Sequence, residues 1–166
     1  MSRRFSVITC AMFFGALWAA QPASAQTATT TFPVTATVLT SCSVTANPLA
    51  FGSYNPTAAT PLDATTTLSV LCTVGTSFTV GLNAGTAPAA TVTTRQMSNG
   101  TNRLNYALYQ EAGRTTNWGN TPGTNTPAPT TAPIAASSLT VYGRVPAGQN
   151  VPAGNYTDTI TVTVNY

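Results

Sequence analysis

The chain has 166 residues, of which only 5% are charged, and it contains neither histidine nor lysine. These gaps exclude His-based triads and lysine nucleophiles, and the three side-chain carboxylates are too far apart in sequence to predict a glycosidase pair. We therefore expect no enzyme, catalytic residue, cofactor, metal site or small-molecule substrate, and without a basic cluster in residues 26–166 we expect no nucleic-acid partner.

Residues 1–25 have the pattern of a secretion signal. Arg3 and Arg4 precede a largely apolar stretch, and Ala23-Ser24-Ala25 forms a cleavage site before Gln26. The alternative is a membrane anchor, which the short apolar stretch disfavours. We expect an exported chain that begins at Gln26.

The next stretch has the period of an extended strand. Phe32, Val34, Ala36 and Val38 alternate with Thr31, Pro33, Thr35 and Thr37, so that one face is apolar and the other polar. Apolar residues continue at even positions to Val44, interrupted only by Thr40. Such a strand either pairs with another molecule or forms the first strand of its own domain, and the pattern leaves both alternatives open.

Two cysteines remain after the signal. Cys10 belongs to residues 1–25, whereas Cys42 and Cys72 form an even pair in an exported chain. Disulfides form in oxidising compartments, so we expect a bond between these two residues.

The remaining chain predicts an all-β domain of about seven strands with no helix. Alternating patterns are separated by turn signals, among them Asn99-Gly100, which is the strongest short hairpin signal. A long irregular stretch, residues 111–137, interrupts this series. The predicted strands after the N-terminal one are residues 66–72, 78–82, 95–97, 102–110, 139–145 and 155–166.

The last predicted strand has the clearest alternation. Its apolar face is formed by Tyr156, Ile160, Val162, Val164 and Tyr166. Elsewhere Tyr106, Tyr109 and Trp118 could form a platform for sugar stacking, and the alternative is that these aromatic side chains belong to the core.

Several ordered segments of the chain resemble the spore coat protein U domain family, which includes major subunits of archaic chaperone–usher pili. The resemblance covers residues 29–166. Its matching segments are Cys42-Ser43-Val44, Leu49-Ala50-Phe51-Gly52-Ser53-Tyr54, Leu68-Ser69-Val70-Leu71-Cys72-Thr73, Arg95-Gln96-Met97, Leu104-Asn105-Tyr106-Ala107-Leu108-Tyr109, Arg114, Trp118-Gly119, Val141-Tyr142-Gly143-Arg144-Val145-Pro146 and Gly154-Asn155-Tyr156-Thr157-Asp158-Thr159-Ile160-Thr161-Val162.

The resemblance implies an immunoglobulin-like β-sandwich, residues 42–166, that lacks one strand. Residues 26–41 would be the donor segment, with Phe32, Val34, Ala36 and Val38 filling the groove of a neighbouring copy. Tyr156, Ile160, Val162, Val164 and Tyr166 would form the edge strand of that groove.

The same resemblance implies partners and a location. A periplasmic chaperone and an outer-membrane usher would handle the subunit in the periplasm, and copies would then form a surface fibre for adhesion or biofilm formation. The alternative function is a monomeric secreted or coat-associated β-sandwich that binds glycan through surface aromatic residues.

Overall fold

The computed structural model describes residues 24–166, so all but the last two residues of the predicted signal peptide lie outside the described part. Every regular element of that part is a β-strand. No helix there is long and apolar enough to span a membrane. Contacts group Thr37–Tyr166 into one compact unit.

Eight strands form this unit, and they agree with the expected all-β class. The alternating pattern and the frequent Thr and Val residues favour strands, and Gly and Pro residues favour the turns between them. The strands are β1 (Cys42–Ala46), β2 (Leu62–Cys72), β3 (Ser77–Leu82), β4 (Arg95–Asn99), β5 (Asn102–Tyr109), β6 (Thr130–Thr131), β7 (Ser137–Val145) and β8 (Val162–Asn165).

The strands form two antiparallel sheets. One has the order β1-β2-β7-β5-β4 and the other has the order β6-β3-β8. The predicted hairpin joins β4 to β5, and Gly100 at its turn has a φ of 58°, which glycine adopts without strain. The first sheet ends at β1 and the second at β8, so each sheet has an edge strand with one unpaired side.

The core lies between the sheets. Alternate residues of β2, β3, β5 and β7 point inward and are nearly inaccessible. Trp118, from the long irregular stretch, joins them, and its indole N–H donates to the carbonyl oxygen of Val80 over 2.8 Å. Because this bond satisfies the polar atom of the ring, the largest side chain of the core is buried without an unpaired donor.

The predicted disulfide is present. Cys42 and Cys72 are bonded and face each other at one end of the β1–β2 ladder. We call this end of the sandwich the disulfide end. The opposite end is defined by Leu62 and Val145, which pair where β2 begins and β7 ends. The covalent bond thus links the first residue of the five-residue β1 to the last residue of β2.

Two segments differ from the sequence prediction. Residues 24–41 form no strand, although their alternation predicts one, and the side chains of Phe32 and Val34 are 80% and 83% exposed. The last strand is also shorter than predicted, because only Val162–Asn165 form β8. A strand requires a hydrogen-bonded neighbour, and an alternating pattern alone does not supply one.

Candidate strand-acceptor groove

The last segment of the chain, residues 156–166, uses only its odd-numbered residues for backbone pairing. Thr157 exchanges two hydrogen bonds with Ser98 of β4, at 2.8 and 3.1 Å. Further along, the N–H of Asn83 donates to the carbonyl oxygen of Thr161, and β8 continues this pairing along β3. The segment therefore crosses from the edge of one sheet to the edge of the other.

The even-numbered residues of this segment face the other way. In an antiparallel pair the backbone groups of successive residues point to opposite sides, so Val162 and Val164 direct their N–H and C=O groups away from β3. Within the described chain, the backbones of Tyr156, Asp158 and Ile160 make no hydrogen bond either. The result is a long unpaired strand edge, which folded proteins ordinarily cover.

Strand β1 has a second unpaired edge. A gap separates it from the unpaired edge of residues 156–166. The carbonyl oxygen of Ser41 accepts from Thr73, and the N–H of Asn47 donates to Thr67, so the odd-numbered residues of β1 pair with β2. The even-numbered residues Cys42, Val44 and Ala46 therefore direct their backbone groups into the gap. No backbone ladder joins β1 to β8.

Between these two edges lies a groove of about 450 Å³. Its floor is apolar and belongs to the core of the sandwich, and its rim consists of the segments beside the two free edges. We call it the acceptor groove. Its floor is formed by Leu68, Leu82, Tyr106, Leu108 and Val141, and its rim by Ala46, Leu49, Phe51, Tyr156, Asp158, Ile160 and Val162.

The groove continues into a second cavity at the opposite end of the sandwich. This cavity has a volume of about 720 Å³ and shares Leu49, Phe51, Met97 and Tyr156 with the groove. Tyr54 also borders it, with its hydroxyl donating to the carbonyl oxygen of Pro146 over 2.9 Å. The two spaces together form a trough longer than the groove alone.

One polar pair interrupts the apolar lining. The hydroxyl of Tyr106 donates to Oδ2 of Asp158 over 2.7 Å, while Oδ1 accepts from the N–H and hydroxyl of Thr86, each over 2.8 Å. Burial, followed by the bond to this carboxylate, raises the pKa of Tyr106 far above its ordinary value. The pair ties the rim to β5 and to the loop after β3.

Gly143 determines how closely the rim residues Leu49 and Phe51 approach β7, and therefore how deep the groove is on that side. A Cβ atom at this position would lie 2.8 Å from Cδ2 of Leu49 and 2.8 Å from Cζ of Phe51. Only glycine lets these two side chains lie directly on β7. The glycine is therefore required by close packing, since its φ angle is ordinary.

A buried arginine holds the loops around the second sheet. The guanidinium group of Arg95 donates to the carbonyl oxygens of Leu82, Asn83, Val92 and Trp118 over 2.6–3.0 Å, and its side chain is fully buried. Burial lowers the pKa of Arg95 to about 10, so it remains protonated at neutral pH. The sequence alone does not reveal this role, because an isolated arginine normally indicates a solvated surface.

The structure also joins charges that are far apart in sequence. Arg144 makes two bonds to the carboxylate of Asp63, at 2.7 and 2.8 Å, and Arg114 lies 3.3 Å from the same carboxylate. The bond from Arg144 is the largest cause of a lowered pKa at Asp63. The β2–β7 register brings the first pair together. This cluster lies outside the groove lining.

The predicted sugar platform is wrong for two of its three residues. Trp118 and Tyr106 are only 1% and 4% exposed, because one belongs to the core and the other to the groove floor. Tyr109 is half-buried on β5. A stacking surface requires accessible ring faces, so these residues cannot form one together.

The lining of the groove is suited to binding an extended chain. Among residues 24–166, no three His, Cys, Asp or Glu side chains lie together so that they could hold a metal ion. What the groove offers is an apolar floor with unpaired backbone donors and acceptors on both rims. An extended peptide strand would satisfy both, because its backbone can pair with the edges while alternate side chains enter the floor.

Comparison with known proteins places the chain in a family. The model of the Spore Coat Protein U domain matches residues 28–163. Protein U of Myxococcus xanthus is 38% identical over 166 residues, covering 90% of this chain and 91% of that protein.

The fold is shared with a solved structure. It is the crystal structure of the CsuC-CsuE chaperone-tip adhesion subunit pre-assembly complex from archaic chaperone-usher Csu pili of Acinetobacter baumannii, with a TM-score of 0.57 and 24% identity. The match covers 78% of this chain but only 41% of the other. Together with the two antiparallel sheets, this likeness identifies the fold as an immunoglobulin-like sandwich. On the family match, the chain belongs to the Spore Coat Protein U domain family.

Proposed function

We propose that the protein is a structural subunit of a chaperone–usher surface fibre and that it polymerises by donor-strand exchange. Residues 26–41 form the donor arm, and the acceptor groove receives the arm of a neighbouring copy. The observation that carries this proposal is the unpaired edge of residues 156–166, which lies directly over an apolar floor.

The parity of the arm suits the edge that it would join. In an antiparallel pair, opposed residues have side chains on the same face. The inward, unpaired residues of β8 are even-numbered, so they would pair with the even-numbered apolar residues of the arm. Pro33, which has no N–H, is odd-numbered and directs its backbone away from β8. The proline therefore removes no bond from this ladder.

The direction of the arm follows from the position of its root, which is the end of the arm that is joined to its own sandwich. The arm joins the sandwich at the disulfide end, through Ser41 and Cys42. If a received arm also had its root at that end, two neighbours would have to occupy one end of the same copy. In a fibre the received arm therefore runs antiparallel to β8, with its root at the opposite end.

The apolar face of the arm supplies the driving force. Burial of Phe32, Val34, Ala36 and Val38 would stabilise the joint by at most about 5–8 kcal/mol. Each ladder hydrogen bond would add about 0.5–1.5 kcal/mol. Head-to-tail joining yields an open filament when the rotation between neighbouring copies does not close a ring, and a filament is what we propose here.

A periplasmic chaperone and an outer-membrane usher complete the proposal. An exported subunit with an open groove exposes a strand edge that would aggregate, so a partner must cover it until the neighbour's arm arrives. The CsuE subunit of the solved complex is seen together with the chaperone CsuC. Adhesion or biofilm formation is the role that we propose for the resulting surface fibre.

The test compares the chain that begins at Gln26 with a version that lacks residues 26–38. Size-exclusion chromatography and unheated gel electrophoresis measure the assembly state. We expect heat-labile ladders from the first chain and none from the second. A synthetic peptide of residues 30–38 should bind the shortened chain and raise its melting temperature, whereas a peptide with Val34 and Ala36 replaced by Asp should do neither.

One result would contradict the proposal. If both versions are stable monomers whose melting temperatures do not respond to the peptide, the sandwich is complete without a donated strand. The proposed function would then be abandoned.

A further inference from the structure

The exposed large apolar side chains of Thr37–Tyr166 are concentrated at one end of the sandwich. Folded domains scatter such residues singly, and a group of them at one place marks an interaction surface. All six that are exposed lie on segments at the disulfide end: Val38, Leu39, Leu71, Val74, Ile134 and Tyr166.

Hydrogen bonds hold three of these segments together. The hydroxyl of Thr73 donates to the carbonyl oxygen of Leu39 over 3.1 Å, which places Leu39 beside the β2–β3 turn that carries Val74. The N–H of Gly75, in that same turn, donates to the carbonyl oxygen of Ala132 over 3.0 Å, two residues before Ile134. We call Leu39, Val74 and Ile134 the end patch.

The exposure of the end patch is high. Ile134 is 87% exposed, Leu39 77% and Val74 62%, although each is large enough to fill a core position. No other group of described residues in Thr37–Tyr166 compares with it, since the opposite end carries no exposed large apolar side chain. The two ends of the sandwich are therefore chemically different.

We infer that the end patch packs against the copy of this chain that accepts the arm, so that each joint of the fibre has a second contact beside the donated strand. This inference rests on the proposed function. Once Val38 lies in a neighbour's groove, only Leu39 and Thr40 separate it from Ser41, which is bonded to Thr73. An extended chain of three residue steps spans at most about 11 Å. The accepting copy must therefore reach the end patch.

The receiving surface is the opposite end of the accepting copy. The root of a received arm lies there, and the cavity of about 720 Å³ opens at the same place. Tyr54, Val151 and Tyr156 give it apolar walls. The end patch would meet this cavity as the two ends close on each other, which buries apolar surface on both sides and restricts bending at the joint.

Fibre stiffness tests the inference separately from assembly. The variant Val74→Asn/Ile134→Asn removes two of the three apolar side chains of the patch and leaves the arm and the groove unchanged. Ala112→Asn, at an exposed turn after β5, is the matched control. Unheated gels report strand exchange, and electron micrographs of the fibres give the persistence length.

We expect all three chains to form heat-labile ladders, with a several-fold shorter persistence length for the patch variant alone. Wild-type and variant fibres of equal persistence length would overturn the end contact and leave the proposed function intact. A wild-type chain that forms no ladder would overturn both, because the reach of the arm is the basis of the inference.

Discussion

The hydroxyl of Tyr106 donates to Oδ2 of Asp158 over 2.7 Å, and this bond joins the floor of the acceptor groove to its rim. Asp158 lies among even-numbered residues that are otherwise apolar, and its carboxylate also binds the loop that follows β3. These bonds tie the rim to β5 and to the loop after β3 without a bound strand. The first prediction tests this bond through its dependence on pH.

Stability should fall in alkaline solution because of Tyr106. Burial, with the bond to Asp158, raises the pKa of its hydroxyl in the folded chain above the ordinary value of 10.0. Above that value the unfolded chain loses the proton while the folded chain keeps it, so the free energy of unfolding decreases as pH rises. Urea unfolding between pH 8 and about 11 measures the slope.

The variant Tyr106→Phe has no proton to lose, so its slope above the ordinary pKa should be shallower than that of the wild type. At neutral pH it should be less stable by about 1.5–3 kcal/mol, since a hydrogen bond to a charged group is lost. Tyr166→Phe is the matched control, because Tyr166 is largely exposed. Equal alkaline slopes for the wild type and Tyr106→Phe would contradict the assignment.

The second prediction concerns Arg95, which four carbonyl oxygens surround. Lysine keeps the charge but cannot reproduce the planar set of donors, so Arg95→Lys leaves buried acceptors unpaired. We expect the free energy of unfolding to fall by about 3–5 kcal/mol, as when a buried charged group loses its partners. Urea unfolding measures this change, and Arg103→Lys, whose side chain is half-buried, should change it by less than about 1 kcal/mol.

Sequence patterns predicted the parts of the fold that depend on local order. Alternation identified most of the strands, the Asn99-Gly100 turn identified the β4–β5 hairpin, and the number of cysteines identified the disulfide. Each of these signals lies in a short stretch of sequence or in the number of cysteines. The alternation of apolar and polar residues likewise identified the inward face of the last segment, residues 156–166.

The rest depended on contacts between distant segments. Trp118 stands in a stretch rich in Pro and Gly, and nothing near it in sequence reveals the carbonyl group of Val80 that its indole binds. The role of Arg95 also required its four acceptors, which come from three separate segments. The pairing of Thr157 with Ser98 could not be predicted, because it depends on how the chain crosses between the sheets.

The third prediction tests the depth of the groove. Gly143→Ala should displace Leu49 and Phe51, because its Cβ atom would approach both within 2.8 Å. The rim of the groove then moves, so the affinity of the shortened chain for the peptide of residues 30–38 should fall at least several-fold. Isothermal calorimetry measures the affinity. Gly113→Ala, where the nearest atom would be 4.0 Å away, should bind the peptide as the wild type does.

The fourth prediction tests which face of the arm enters the groove. Val34→Asn places a polar amide on the even-numbered face, where the apolar floor offers it no partner, so assembly should slow or stop. Thr35→Asn introduces the same side chain one position later, on the face that remains outside. Its rate of ladder formation on unheated gels should match that of the wild type. If the two variants assemble equally well, or if only Thr35→Asn fails, the arm does not bind through Phe32, Val34, Ala36 and Val38, and its pairing with the even-numbered edge of β8 is wrong.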